Sequence, residues 1–201
     1  MPAGVVVAGG RSTRFGDEDK ALAVLAGTPM VRRVADRLAP AVDALVVNCR
    51  ADQRAGVEAA MAGYPHPVAV AVDREPDRGP VAGLARGLDA VDAAYAMVAA
   101  CDVPFLDPDL ADYLLDAAAG RDAAVPRPAE WYEPLHAAYR AAPAAAACED
   151  ALAAGDGRAV APLDRLDWVE VGADELARFD DRSFESVDTR AAFAAAEREL
   201  S

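Results

Sequence analysis

The stretch GVVVAGGRSTRFGDEDK, residues 4–20, decides the fold of the first half of the chain. It begins with a run of valines, turns at the adjacent glycines Gly9 and Gly10, and ends on Lys20. A β-branched run that leads into glycines is typical of a buried strand entering a ligand-binding loop. Of the 20 Lys and Arg residues, Lys20 is the only lysine, so its place beside this loop needs a physical reason.

Short apolar runs and helical segments alternate from this loop onward. We expect strands at residues 4–10, 44–49, 67–73 and 94–102, and helices at 30–42, 53–63, 79–92 and 107–120. Asp107 is placed to cap the last of these helices. Such alternation predicts βαβ units, and therefore a three-layer, doubly wound α/β fold of Rossmann-like type with a mostly parallel sheet.

The second half of the chain alternates less regularly. We expect strands at residues 123–128, 133–140 and 166–171, the second of them antiparallel, together with a polyalanine helix and a final helix at 189–200. The sequence contains neither an internal repeat nor a linker. We therefore expect one domain over residues 1–201.

The net charge of the chain and its distribution argue against some classes of function. The net charge is −14, from 34 acidic against 20 basic residues, and the acidic residues are spread along the whole chain. This distribution argues against nucleic-acid binding, which needs basic patches to neutralise phosphates. A diffusely acidic, lysine-poor chain favours a halophilic protein that stays dispersed in concentrated salt; a coding bias towards arginine is the alternative explanation.

Cysteine spacing and hydropathy indicate the cellular compartment in which we expect the protein. The three cysteines have no CxxC spacing, which argues against a structural zinc or a disulfide framework and favours a reducing compartment. We see no signal-peptide pattern and no apolar stretch of membrane-spanning length. We expect a cytoplasmic protein without a membrane partner.

The glycine loop has the chemistry of a phosphate-binding site. Open α/β sheets bind ligands beyond the carboxyl ends of their strands, and glycines let the backbone N–H groups approach phosphate oxygens. Arg11, Arg14 and Lys20 add positive charge there, in a chain of net charge −14. A tight turn with solvated cations is the alternative. Neither the P-loop pattern nor the dinucleotide pattern GxGxxG is present.

The loop as a whole is more specific than its parts. The string Val7-Ala8-Gly9-Gly10-Arg11-Ser12-Thr13-Arg14-Phe15-Gly16, followed closely by Lys20, resembles the opening of the nucleotidyltransferases that activate sugars, terpenoid alcohols and pterins. That resemblance implies a loop that wraps a triphosphate, with Lys20 and Arg14 offsetting charge at the α-phosphate. A compact ammonium suits this position better than a planar guanidinium.

Three further stretches narrow the resemblance. Together with the loop, DREPDRGPVAGL (residues 73–84), ACDVPFLDPDL (100–110) and EPLHAAY (133–139) resemble the molybdenum cofactor guanylyltransferases, the MobA family, over residues 4 to about 188. The resemblance implies transfer of GMP from GTP to molybdopterin-bound molybdenum with release of pyrophosphate. It also implies a nucleotide-binding half at about 1–105, an acceptor-binding half at about 106–201, and transient contacts with proteins that deliver molybdopterin or receive the cofactor.

The resemblance also assigns the site residues. Lys20, Arg14 and Asp102 would be catalytic, and Asp102 would ligate Mg²⁺. The residues implied to hold GTP are Val7, Ala8, Gly9, Gly10, Lys20, Asn48, Asp73 and Asp102.

The chain departs from the family pattern near its last helix. Where the family commonly has Asn-x-Asn-Thr-Pro, this chain reads Ser186-Val187-Asp188-Thr189-Arg190, so Asp188 is a candidate second Mg²⁺ ligand or acceptor contact. Several alternatives stay open at this point. They are a molybdopterin cytidylyltransferase, a cobinamide-phosphate or phospholactate guanylyltransferase, an inactive nucleotide-binding protein, and a non-enzymatic acidic protein.

Overall fold

A computed structural model describes residues 1–10, 15–16, 19–75 and 78–200 of the chain. Seven strands form one sheet, and two short strands form a separate hairpin. The strands are β1 Ala3–Val7, β2 Val24–Leu25, β3 Thr28–Pro29, β4 Ala44–Cys49, β5 Val68–Val72, β6 Tyr95–Ala100, β7 Ala123–Arg127, β8 His136–Arg140 and β9 Trp168–Gly172.

Helices connect most of these strands. The α-helices are α1 Met30–Leu38, α2 Arg54–Ala60, α3 Pro80–Asp89, α4 Pro108–Ala117, α5 Ala141–Ala153, α6 Ala173–Leu176 and α7 Arg190–Leu200. Short 3₁₀ turns lie at Ala39–Ala41, Ala51–Gln53, Ala161–Arg165 and Asp181–Phe184. Asp107 caps α4 as the sequence predicts, because its carboxylate accepts the backbone N–H of Asp109. None of the helices in the described ranges is long and apolar enough to cross a membrane.

The order of strands in the sheet is β5-β4-β1-β6-β8-β7-β9. Among the described strands of this sheet, only β8 runs against its neighbours: it pairs antiparallel with both β6 and β7, and the other pairings are parallel. The predicted mostly parallel α/β sheet with a short antiparallel strand is therefore confirmed. After β1 the chain turns towards β4, whereas β6 is added on the other side of β1. The carboxyl ends of β1 and β6 thus form the switch point at which such sheets bind ligands.

Helices pack on both faces of the sheet. Apolar residues of α1 and α4 share one buried cluster, and those of α3 and α5 share the other. Helix α3 approaches the sheet closely because Gly83 and Gly87 face it: a Cβ on Gly87 would lie 2.5 Å from Val5 Cγ1. Small residues thus let α3 reach the carboxyl edge of the sheet without a gap.

The last segment of the described chain returns to the glycine loop. Phe15, Leu25 of the hairpin, Val187 and Phe193 of α7 belong to a third buried cluster. The ring of Phe15 packs edge-on against Phe193 with centroids 5.3 Å apart. The backbone N–H of Val187 also donates to the carbonyl of Asp102 at 2.8 Å. These contacts bring the residues around 186–188 to the carboxyl ends of β1 and β6.

Several element boundaries differ from expectation, and one hairpin was not expected. The helix expected at 53–63 begins with a 3₁₀ turn and continues only to Ala60. The strand expected at 133–140 begins at His136, since Pro134 cannot donate a ladder hydrogen bond. The hairpin of β2 and β3 was not predicted, because two residues a strand leave no periodic pattern to detect.

His136, the first residue of β8, is a buried imidazole. It is 3% exposed, its ring lies 4.8 Å from that of Phe184, and neither ring nitrogen has a hydrogen-bond partner in the described part of the chain. Desolvation by burial lowers the pKa of His136 from 6.5 to about 4.

We expect His136 to make folding pH-dependent. The unfolded chain takes up a proton on this ring near pH 6.5 and the folded chain only at about 4, so acidification across this interval favours unfolding. From neutral pH to about pH 4, the free energy of unfolding of the native chain should fall by about 3 kcal/mol more than that of His136→Leu. Denaturant titrations of both variants in the same salt check this. Because they share every carboxylate, equal pH slopes would contradict the assigned burial.

Candidate active site

A cavity of about 560 Å³ opens at the switch point of the sheet. Each of its main polar or glycine positions follows the carboxyl end of a strand or begins a helix: Gly9 and Gly10 follow β1, Asp73 follows β5, Asp102 follows β6, and Gly83 lies in the first turns of α3. Lys20 and Asp188 complete its wall. The parallel topology therefore gathers residues from distant parts of the sequence at one edge.

Lys20 lies between two carboxylates at the edge of this cavity. Its Nζ donates to Asp102 Oδ2 at 2.7 Å and to Asp188 Oδ1 at 2.5 Å, and the residue is only 7% exposed. Burial by itself would lower the pKa of Lys20, but the charge and hydrogen bond of Asp102, with the hydrogen bond of Asp188, raise it above its usual value. The amine is therefore a fixed positive charge at any physiological pH. Ser186 Oγ also donates to Asp102 Oδ2, at 3.2 Å.

The side chains of Asn48 and Asp73 lie against Gly9 of the glycine loop. Asn48 is fully buried, and its Nδ2 donates to Asp73 Oδ1 at 2.6 Å and to the carbonyl of Ala71 at 3.1 Å. A Cβ on Gly9 would come too close to Asp73 Oδ2, so a larger residue there would displace the carboxylate that Asn48 holds. Desolvation raises the pKa of Asp73, while the hydrogen bond from Asn48 acts in the opposite direction.

The start of α3 forms the opposite wall. Gly79 has a φ of +83°, and a Cβ there would lie 2.5 Å from the carbonyl oxygen of Gly157. Pro80 then begins the helix without needing a partner for a backbone N–H. The positive end of the helix dipole consequently faces a site lined by glycines, an arrangement that favours anions.

A second groove of about 840 Å³ continues from the cavity. The two share Arg78, Gly79, Pro80 and Leu135 in their walls. Beyond this shared wall the groove is lined by Tyr132, Glu133, Gly155, Gly157, Arg158 and neighbouring residues. Burial raises the pKa of Glu133, with a smaller contribution from the charge of Asp102.

Most residues expected in the site lie at this cavity. Val7, Gly9, Gly10, Lys20, Asp73 and Asp102 line it. Ala8 and Asn48 are buried, at 2% and 0% exposure, and are not among the lining residues. Arg11 and Arg14 lie outside the described residues.

Sequence reasoning missed two features of the site. One is the close approach of Gly79 to Gly157, which joins the cavity to the groove. The other is the pair Arg50 and Gln53, which bind the glycine loop from behind. The stretch Gly155-Asp156-Gly157-Arg158 could have indicated the approach of Gly157 to Gly79. No local sequence pattern indicates that Arg50 and Gln53 contact the loop.

The donor set at the cavity suits a hard divalent cation shared with phosphates. In the described residues no group of three or more His, Cys, Asp or Glu side chains is arranged to hold a metal. Asp102 and Asp188 instead present carboxylates on either side of Lys20. Mg²⁺ is typically bound by one or two carboxylates, with phosphate oxygens and waters completing its octahedron, and these residues fit that requirement.

The fold and this site define a nucleotidyltransferase. The family model described as the MobA-like NTP transferase domain matches residues 4–167. The chain belongs to this family.

Curated relatives agree with this assignment. A probable molybdenum cofactor guanylyltransferase of Natronomonas pharaonis is 54% identical over 187 residues, which is 92% of each chain. One of Haloferax mediterranei with the same name is 40% identical over 156 residues, or 78% of this chain and 73% of that protein.

Solved structures share the fold over nearly the whole chain. The crystal structure of molybdopterin-guanine dinucleotide biosynthesis protein A from Archaeoglobus fulgidus has a TM-score of 0.78 and 28% identity, and covers 99% of this chain and 98% of that one. A nucleotidyl transferase from Methanothermobacter thermautotrophicus has a TM-score of 0.75 at 20% identity, covering 100% and 97%, and supports the fold alone.

Proposed function

We propose that this protein transfers GMP from GTP to molybdopterin-bound molybdenum and releases pyrophosphate. The observation that carries the proposal is the placement of Lys20, held between Asp102 and Asp188 at the edge of the cavity. The names of the relatives from Natronomonas pharaonis and Haloferax mediterranei support the choice of donor and acceptor.

The cavity is assigned to GTP. The N–H groups of the glycine loop and the start of α3 favour the triphosphate, and Lys20 supplies a compact charge beside it. Because Gly9 rests on Asp73, which Asn48 holds, we assign Asn48 an indirect part in nucleotide binding through Asp73. Arg14 remains a proposed second cation for the phosphates.

Mg²⁺ is the proposed cofactor, and Asp102, with Asp188 beside it, would hold it. When bound, the cation supplies charge that offsets repulsion between the anions that must meet. Lys20 makes two ion pairs with these carboxylates. An ammonium has three N–H donors, so a phosphate oxygen can accept the third.

The adjoining groove is assigned to the acceptor. Its opening onto the cavity at Leu135 and Gly79 lets an acceptor phosphate reach the α-phosphorus of GTP. An oxygen of that phosphate forms the new P–O bond, and the bond from the α-phosphorus to the leaving pyrophosphate breaks. The attacking oxygen is already an anion, so no base is required, and in-line positioning and charge supply the catalysis. Arg158 in the groove is suited to the acceptor's negative charge.

The proposal also includes the cellular location of the reaction and the proteins that take part in it. We place the enzyme in the cytoplasm, and we expect brief contacts with proteins that deliver molybdopterin or receive the product.

Nucleotide selectivity tests the proposal. In molar salt with Mg²⁺, GTP should raise the melting temperature of the protein, and CTP at the same concentration should not. Pyrophosphate release should then require Mo-molybdopterin as well as GTP. A preference for CTP would identify a cytidylyltransferase, and protection by GTP without any release would identify a nucleotide-binding protein that lacks turnover.

A further inference from the structure

Arg50, directly after β4, connects the two ends of the glycine loop. Its Nη1 donates to the carbonyl of Gly10 at 2.7 Å and to that of Gly9 at 3.4 Å, while its Nη2 donates to Asp19 Oδ2 at 2.8 Å. Gly10 begins the loop, and Asp19 immediately precedes Lys20. One guanidinium thus bridges the glycines and the residue next to the lysine.

Gln53 makes a second, parallel bridge. Its Nε2 donates to the carbonyl of Ala8 at 3.1 Å and to Asp19 Oδ2 at 2.7 Å, and the residue is 1% exposed. Its Oε1 accepts the backbone N–H of Arg50 at 2.8 Å, which fixes the two bridging residues to each other.

These bonds determine which way the loop's N–H groups point. In a trans peptide the carbonyl of one residue and the N–H of the next point in opposite directions. Since Gln53 and Arg50 hold the carbonyls of Ala8 and Gly9 on their side, the N–H groups of Gly9 and Gly10 face away from them. Gly9 and Gly10 line the cavity, whereas Arg50 and Gln53 are not among its lining residues.

Asp19 fixes the other end of the loop. Its Oδ1 accepts the N–H of Ala21 at 3.0 Å, and its carbonyl accepts the N–H of Ala23 at 2.9 Å. Lys20 lies between these anchored positions, so its backbone is set by the same carboxylate that Arg50 and Gln53 hold.

We propose that Arg50 and Gln53 are positioning residues that fix the glycine N–H groups and the Lys20 amine at the separation a triphosphate requires. The inference rests on the proposed function, because it concerns how the same cavity binds GTP. Arg50 acts from behind the loop: it also donates to both oxygens of Asp52, at 3.1 and 3.3 Å, so its five N–H groups are directed at protein acceptors.

Arg50→Met and its matched control Arg54→Met test the proposal. Arg54 lies four residues further along, is exposed and pairs with Glu58, so its loss removes the same charge without touching the loop. Calorimetric titrations in molar salt with Mg²⁺ should measure the dissociation constants of GTP and of guanosine. We expect Arg50→Met to raise that of GTP about tenfold or more and to leave that of guanosine within about twofold, because only the phosphates use the loop. Arg54→Met should leave both unchanged.

Two further variants guard against a general loss of structure. Asp19→Asn should reproduce the selective loss of GTP affinity, and the double variant with Arg50→Met should be no weaker than the weaker single variant, since both act through one bridge. Melting temperatures identify variants that fail to fold. Equal losses for GTP and guanosine, or unchanged GTP affinity in a folded Arg50→Met protein, would overturn the proposal. If the native chain binds GTP no better than guanosine, the proposed function fails instead.

Discussion

Lys20→Ala should lower the rate of pyrophosphate release by about 100- to 1,000-fold, the range seen when one preorganised donor to developing charge is removed. The amine is fixed by two carboxylates and buried from water, so it offers a bound phosphate a preorganised donor that solvent screens little. Single-turnover assays with saturating GTP, Mg²⁺ and Mo-molybdopterin separate this loss from weaker binding.

Lys20→Arg tests whether the shape of the cation matters as well as its charge. A guanidinium keeps the charge but is planar and larger, and the position between Asp102 and Asp188 has room for a compact ammonium. We expect it to recover less than about a tenth of the native rate, and we expect both variants to fold because the two carboxylates keep some solvent exposure. A native rate in Lys20→Ala would remove the lysine from the mechanism.

Asp102→Asn should lower the rate of pyrophosphate release by a similar factor, but it should also change the dependence of the rate on Mg²⁺. The amide keeps the shape of the side chain but loses the charge that a hard divalent cation requires. We expect the rate at ordinary Mg²⁺ concentrations to fall by about 100-fold or more, and the Mg²⁺ concentration for half-maximal rate to rise by about tenfold or more. Spectroscopy of bound Mn²⁺, used in place of Mg²⁺ with GTP, provides a readout that does not depend on turnover.

Asp188→Asn is the matched control for this change. It removes the other carboxylate that contacts Lys20, and it introduces the residue that the family commonly has in this stretch. We expect less than about a tenfold change in rate, because Asp102 still contacts the amine and would still hold the proposed cation. If the two asparagine variants behaved alike, the cation would have to be shared equally by both carboxylates.

The first half of the fold was predictable because its signal is local. Strands β1, β4, β5 and β6 are apolar runs separated by helical segments, and parallel pairing follows from that alternation. The hairpin was not predictable in the same way. Its turn holds Ala26 at φ +45° and Gly27 at φ +81°, and alanine rarely adopts a positive φ. Tertiary packing against Phe15 and α7, rather than local preference, accounts for it.

The same difference between local and long-range signals applies to the residues of the candidate site. The glycine loop and Asp102 could be identified from the sequence because each directly follows a strand, and Lys20 because it is the only lysine and lies close to the glycine loop. The contact of Lys20 with Asp188, 168 positions away, and the bridge from Arg50 to Asp19, 31 positions away, could not be located because the topology alone brings them together. Asp188 was recognised only as a candidate, through its departure from the family's asparagine.

The distance along the chain between Lys20 and Asp188 has a consequence for biosynthesis. A ribosome makes the glycine loop early and reaches Asp188 only 168 codons after the lysine. Nascent chains therefore expose a positively charged amine with one of its two counter-charges still untranslated. The part of the cavity wall that Asp188 forms is therefore complete only after translation has passed residue 188.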